Sequence, residues 1–168
     1  LIKELGDMTS SLGSIPEGTR AYVDGPHGNL AVTGHDAPGI ALVAGGIGLT
    51  PLIGILRQLA LEDDPRPRTL IYADRNPQQI AHRAELEALG RDARTELVLV
   101  FTQPPAGWTG ETGFVDRQML DRLFGQRHRL DWLYVLCGPP PMLTSVEDAL
   151  IDIGVPANRI LSEKFDYD

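Results

Sequence analysis

Two short segments carry residue types suited to holding a phosphate-bearing ligand. One reads Gly45-Gly46-Ile47-Gly48-Leu49-Thr50-Pro51 and the other Cys137-Gly138-Pro139-Pro140-Pro141-Met142. Glycines lack a Cβ and let the backbone approach a phosphate closely. Thr50-Pro51 offers an N-cap hydroxyl followed by a proline at the first helical position, and the free N–H groups and positive dipole end of such a helix favour an anion. A pyrophosphate fits that description. For the first loop alone, a tight strand-to-helix turn without a ligand is an equal reading; the second loop shifts the balance. Pro51 stands where the common G-x-G-x-x-G fingerprint has its third glycine, and no Gly-Lys-Ser/Thr follows, which argues against nucleoside triphosphate hydrolysis.

The single cysteine, Cys137, has no histidine in a motif that would make a Cys-His pair, which argues against a thiol hydrolase. His27, His35, His82 and His128 are scattered without ligand spacing, and no metal site is expected.

The elements that must position these loops follow from hydrophobic patterning. IALVA (40–44), TLIYA (69–73), TELVLVF (95–101), DWLYVLC (131–137) and RILSEKF (159–165) are continuous apolar runs, the pattern of strands buried on both faces. Helix signals alternate with them. Thr50-Pro51 opens one with Leu52, Ile55, Leu56 and Leu59 on a single face, and Asn76-Pro77 a second with Ile80, Ala84 and Leu89 before Gly90. Asp116 caps a third carrying Met119, Leu120 and Leu123 up to Gly125, and a fourth runs from near Pro141 to Gly154. Strand and helix alternating in this way predict an α/β fold with a doubly wound, five-stranded parallel sheet. Ligands of such sheets bind outside the carboxyl ends of the strands where strand order reverses, which directs attention to the loops after the first and fourth strands. Residues 1–36 break the rhythm: they are rich in glycine, and only RAYVD (20–24) looks like a strand.

At 168 residues the chain suits one full domain. Its net charge of −8 argues against nucleic acid or an anionic membrane as the main partner. No window approaches the ~20 apolar residues of a membrane span. One cysteine permits no internal disulfide and fits a reducing compartment. Leu1 in place of Met, with no signal peptide after it, is consistent with a piece of a longer chain.

Gly-Gly-x-Gly-x-Thr-Pro after the first strand, Cys-Gly-Pro-Pro-x-Met after the fourth and a closing Glu-Lys-Phe together resemble the NAD(P)-binding domain of the ferredoxin-NADP reductase family, a Rossmann-like fold. The opening Gly6-Asp7-Met8-Thr9 resembles that family's flavin-pyrophosphate turn. Asp24-Gly25-Pro26-His27-Gly28 resembles the Glu-Gly-Pro-Tyr-Gly that ends its flavin barrel, with His27 in place of the aromatic. The ends look most like the ferric-reductase or NADPH-oxidase-type branch. The resemblance implies residues 1–36 as a remnant of an FAD-binding barrel and 37–168 as the nucleotide-binding domain. It implies that Gly45, Gly46, Gly48, Thr50 and Pro51 face the pyrophosphate and ribose. Cys137 and Gly138 would lie against the nicotinamide, with Pro139, Pro140 and Met142 shaping the cleft. Glu163 matches the acidic residue near the flavin and Phe165 the aromatic that covers it, with Tyr167 of the tail a lesser candidate; Gly6 and Thr9 belong to the flavin turn.

The function so implied is hydride transfer from NAD(P)H to FAD, then electrons to a one-electron acceptor: haem, ferric iron or an iron-sulfur protein. The FAD would be held mostly by an upstream flavin domain, and the placement is cytoplasmic or on the cytoplasmic face of a membrane protein. The alternative is a non-catalytic nucleotide-binding or electron-transfer module docking on a partner. Asp74 would accept from ribose hydroxyls and repel a 2′-phosphate, whereas Arg75 would bind that phosphate. Thr102-Gln103 lacks the cation that NADP-using relatives carry after the third strand, so the balance leans to NADH.

Overall fold

Why the apolar runs become strands is plain from where their side chains go. In the computed structural model, which describes residues 7–22, 24–25 and 30–164, six parallel strands form one sheet. They are β1 (Ile40–Gly45), β2 (Arg68–Asp74), β3 (Thr95–Phe101), β4 (Glu111–Thr112), β5 (Leu133–Gly138) and β6 (Ile160–Lys164). The order is β4-β3-β2-β1-β5-β6. Alternate residues of β1 leave by opposite faces. Ile40, Leu42 and Ala44 join Leu70, Tyr72, Leu133, Val135 and Cys137 in one core layer, and Ala41 and Val43 join Ile71, Val100, Tyr134 and Leu136 in the other.

Helices cover both layers. Helix α2 (Leu49–Leu61) buries Leu49, Leu52, Ile53, Leu56 and Leu59 on the first, and α3 (Arg83–Leu89) adds Leu86. Helices α4 (Arg117–Phe124) and α5 (Pro140–Asp152) bury Met119, Leu120, Phe124, Leu143, Val146 and Leu150 on the second. At the N-terminal end lies one short helix, α1 (Asp7–Ser11).

Several expectations need correction. The sheet has six strands and not five: β4 pairs with β3 through only Val100↔Glu111 and Phe101↔Thr112, too short to leave an apolar run. The described residues of RAYVD are not in a strand, and Tyr22 is 88% exposed; among the described residues no strand pairs with them to complete a ladder. Thr50 is not an N-cap. The backbone already turns helically from Gly46, so Gly48 takes the cap position and Thr50 falls at the second helical residue. The helix expected behind Asn76-Pro77 is broken: Pro77–Gln79 makes one 3₁₀ turn, Ile80 goes extended as it packs on the core, and α3 begins only after His82, which sits in the left-handed region at φ 53°. Asp116 does cap α4, accepting from the Met119 N–H at 2.8 Å. Among the described residues no helix is long and apolar enough to cross a membrane.

Candidate functional site

All strands point the same way, so the carboxyl ends of β1, β2, β3 and β5 share one edge of the sheet. Chain order runs outward from β1 to β4 on one side and from β5 to β6 on the other, which makes β1/β5 the point where strand order reverses. Both glycine loops leave from there.

Their approach is set by missing side chains. A Cβ on Gly48 would overlap the Cys137 carbonyl and lie 2.8 Å from the Gly138 nitrogen; backbone rests on backbone. A Cβ on Gly138 would lie 3.1 Å from the Gly45 nitrogen, and one on Gly45 would strike the Met142 sulfur. Gly46 differs: nothing lies within 4 Å of its would-be Cβ, and it is glycine because its φ is +52°. The two loops therefore form a single floor, with open space above Gly46.

Two helices open onto that floor and differ in chemistry. Helix α5 begins Pro139-Pro140-Pro141, three residues without an N–H. Helix α2, thirteen residues long, brings the dipole end with its donors. Thr50 Oγ1, in its first turn, is buried without a hydrogen-bond partner. An unsatisfied buried hydroxyl costs about 1–3 kcal/mol, so a ligand oxygen there would remove a standing penalty. The open cradle at Gly46, the backbone contact at Gly48 and this orphaned hydroxyl suit the pyrophosphate and ribose of a dinucleotide.

Cys137 is wholly buried, its side chain in the core layer facing α2. Burial pushes its thiol up to about 12, and the neighbouring Glu163 carboxylate adds to the shift. Glu163 is its direct register partner on β6, so these two are brought side by side. Asp74 ends β2 with Arg75 just beyond it, and the ladder to β3 continues past both strands: Thr102 N–H donates to Asp74 O at 3.2 Å and Gln103 N–H to Arg75 O at 2.7 Å. Asp74, Arg75 and Thr102 thus share the site edge, beyond β1 from the Cys137 side. Thr9 lies in α1. Gly6, Pro26, His27, Gly28, Phe165 and Tyr167 lie outside the described residues. Among the described residues no group of three His, Cys, Asp or Glu side chains is placed to hold a metal ion.

Two residues at this edge have polar groups to which the sequence reading gives no part in the site. Asn76 Oδ1 is buried without a partner just beyond β2. Tyr72, which reads as an apolar strand residue, donates its hydroxyl to Asp74 Oδ2 at 3.1 Å. The signal for Tyr72 was available, because strand residues two apart share a face.

Comparison with known proteins gives the family and the fold. A family model described as an oxidoreductase NAD-binding domain matches residues 42–148, more than half the chain. NADH-cytochrome b5 reductase 1 of Laccaria bicolor is 36% identical over 163 residues, covering 95% of this chain and 53% of the relative. The protein of the same name from Cryptococcus neoformans is 31% identical over 173 residues, covering 95% and 58%. The chain thus spans about half the length of these curated relatives. Among solved structures, the CS-b5R domains of human Ncb5or in the NAD+ form superpose with a TM-score of 0.77 at 27% identity, over 96% of this chain and 46% of that one. The cytochrome b5 reductase domain of Ulva prolifera nitrate reductase gives 0.68 at 30% identity, over 77% and 49%. None of these is of the ferric-reductase or NADPH-oxidase type, a placement that rests on the two ends of the sequence alone. The fold is that of ferredoxin reductase-like nucleotide-binding domains. With the match spanning both glycine loops and the strands between them, the chain belongs to the oxidoreductase NAD-binding domain family.

Proposed function

We propose that this chain is the nicotinamide-binding half of a flavin-dependent NADH reductase. The observation that carries the reading is the joint floor at the β1/β5 reversal, where Gly48 rests on the Cys137 and Gly138 backbone, with the orphaned Thr50 hydroxyl in the first turn of the helix that follows. The chemistry supplied by the bound cofactors is hydride transfer from nicotinamide to FAD, followed by one-electron delivery to a haem, ferric-iron or iron-sulfur acceptor.

This chain's residues supply geometry for that chemistry. Gly45, Gly46, Gly48, Thr50 and the α2 terminus that Pro51 helps shape hold the pyrophosphate. Gly138, Pro139, Pro140 and Met142 wall the cleft, and the buried Cys137 closes it at the end of β5. Proline-rich walls exclude water without offering competing donors. Asp74 accepts from the adenosine ribose and disfavours a 2′-phosphate, which makes NADH the preferred nucleotide; the relatives' names carry the same nucleotide. In this reading Glu163 would be the acidic residue near the flavin and Phe165 the family's flavin aromatic. Residues 1–36 belong to the flavin-binding domain, with Gly6 and Thr9 at its pyrophosphate, and the whole acts on the cytoplasmic side, with a haem protein as the favoured acceptor.

Titration of the folded chain with NADH and NADPH tests the reading. Binding of NADH in preference to NADPH is expected, together with NADH-dependent acceptor reduction once the flavin-binding half is supplied. A folded chain that binds neither nucleotide overturns it.

A further inference from the structure

The carboxylate of Asp74 is held from two sides. Its Oδ1 accepts the Arg75 N–H at 2.7 Å, and its Oδ2 accepts the Tyr72 hydroxyl at 3.1 Å. Tyr72 is among the largest wholly buried side chains, 1% exposed, and its ring belongs to the core layer under α2 and α3. A buried phenol must place its O–H, and here it spends that proton on Asp74 while its oxygen lies 3.5 Å from the Ala81 N–H. Burial raises the phenol's pKa further, with the Asp74 charge adding to it, so it stays a donor at any working pH.

Consequences follow for the half-buried Asp74 at the site edge. A carboxylate on a single free bond would rotate and offer its lone pairs in many directions. With one oxygen tied to the strand's own continuation and the other to a ring locked in the core, its plane is fixed. Each oxygen keeps a further lone pair, so the group can accept two more donors. A ribose 2′,3′-diol supplies two O–H donors in fixed relation; a 2′-phosphate supplies none in its dianionic form and adds repulsion. Next to it the exposed Arg75 favours the phosphate. Selectivity at this edge is then a contest in which the fixed carboxylate must prevail over an exposed cation.

From this geometry we infer that Tyr72 is a positioning residue for nucleotide choice, holding the Asp74 carboxylate in the orientation that accepts an unphosphorylated ribose. The inference rests on the reading of the chain as an NADH-binding domain. Its test is a double-mutant cycle on the 168-residue chain, with Kd for NADH and for NADPH measured by calorimetry for the parent, Tyr72→Phe, Asp74→Asn and the pair. Tyr72→Phe keeps the ring. It is expected to lower the NADH preference, the ratio of the two Kd values, by roughly fivefold, the scale of one hydrogen bond. Asp74→Asn is expected to lower it by at least that much, and adding Tyr72→Phe to Asp74→Asn is expected to change nothing further.

Leu70→Val is the packing control, since Leu70 lies two residues back on the same strand face. It is expected to lower the melting temperature and leave the ratio unaltered. The inference is overturned by a Tyr72→Phe chain with the parent's ratio, by an equal effect of Tyr72→Phe in the Asp74→Asn background, or by an equal fall in the ratio with Leu70→Val. An unchanged ratio in Asp74→Asn alone instead removes Asp74 as the ribose acceptor, and absence of binding to either nucleotide removes the functional reading itself.

Discussion

Replacing Gly48 by alanine probes the floor of the site most directly. The added Cβ would overlap the Cys137 carbonyl and come within 2.8 Å of the Gly138 nitrogen. These are backbone atoms of β5, which is paired on both sides by β1 and β6, so no side-chain rotation relieves the contact. Overpacking a close-packed site costs about 1–3 kcal/mol. For a domain of this size, each kcal/mol lowers Tm by roughly 2–4 °C, giving a fall of about 2–12 °C. Two further glycines calibrate the number. Gly46→Ala meets no atom within 4 Å but must hold φ +52°, a cost of about 1–2 kcal/mol from backbone strain alone. Gly54→Ala, inside α2 with open space around it, gains about 0.5–1 kcal/mol. Thermal unfolding followed by circular dichroism should rank the parent above Gly46→Ala and Gly48→Ala and below Gly54→Ala. NADH titration should show the Gly48→Ala chain binding about tenfold or more weakly, since prising the two loops apart misplaces the cradle. A Gly48→Ala chain as stable as the parent, with unaltered NADH affinity, refutes the argument that backbone contact between the loops builds the site.

Cys137, its thiol pushed up to about 12, should resist alkylation in the folded chain at pH 8 and react readily once unfolded; rapid labelling of the native chain by iodoacetamide contradicts the burial argument. Asp116→Ala removes the α4 cap and should cost about 1 kcal/mol in urea unfolding, with unchanged m-value. Asp92 accepts from the Arg94 backbone N–H and from the Arg94 and Arg68 side chains, which hold its carboxyl down at about 2 against an ordinary 3.8. Because the folded value is the depressed one, its contribution is complete above about pH 4 and is lost as pH falls from there towards 2; Asp92→Asn should flatten that limb of the stability curve, and an unflattened limb rules the group out. Finally, the 168-residue chain should hold FAD poorly, and a stoichiometrically yellow preparation would show that it carries more of the flavin site than proposed.

Much of this fold is legible in the order of residues. Continuous apolar runs, each with a helix signal behind it, follow from burial of strands on both faces, and that requirement acts locally on every residue of β1, β2 and β5. The Asp116 cap is legible for the same reason, since donor and acceptor lie three residues apart. The glycine loops, too, stand out by composition. What the string of residues leaves open is whatever depends on a distant neighbour. Strand β4 is two residues long and exists only because β3 lies beside it. Thr50 looks like a cap until the chain before it turns helically and leaves its hydroxyl buried without a partner.

Glycine at 46 and glycine at 48 are the same letter with different causes, backbone conformation in one and the nearness of β5 in the other. Tyr72 reads as one more apolar strand residue until packing fixes its ring and aims its hydroxyl at Asp74. The sequence by itself determined the five longer strands, the helices that alternate with most of them and the two glycine loops at their ends, because periodicity and chain-local chemistry suffice for those. Only the tertiary structure decided which glycine is irreplaceable for contact, and which buried hydroxyl steadies the carboxylate at the site edge. Those depend on approach distances between segments about ninety residues apart and on side-chain directions at a strand end, neither of which local sequence encodes.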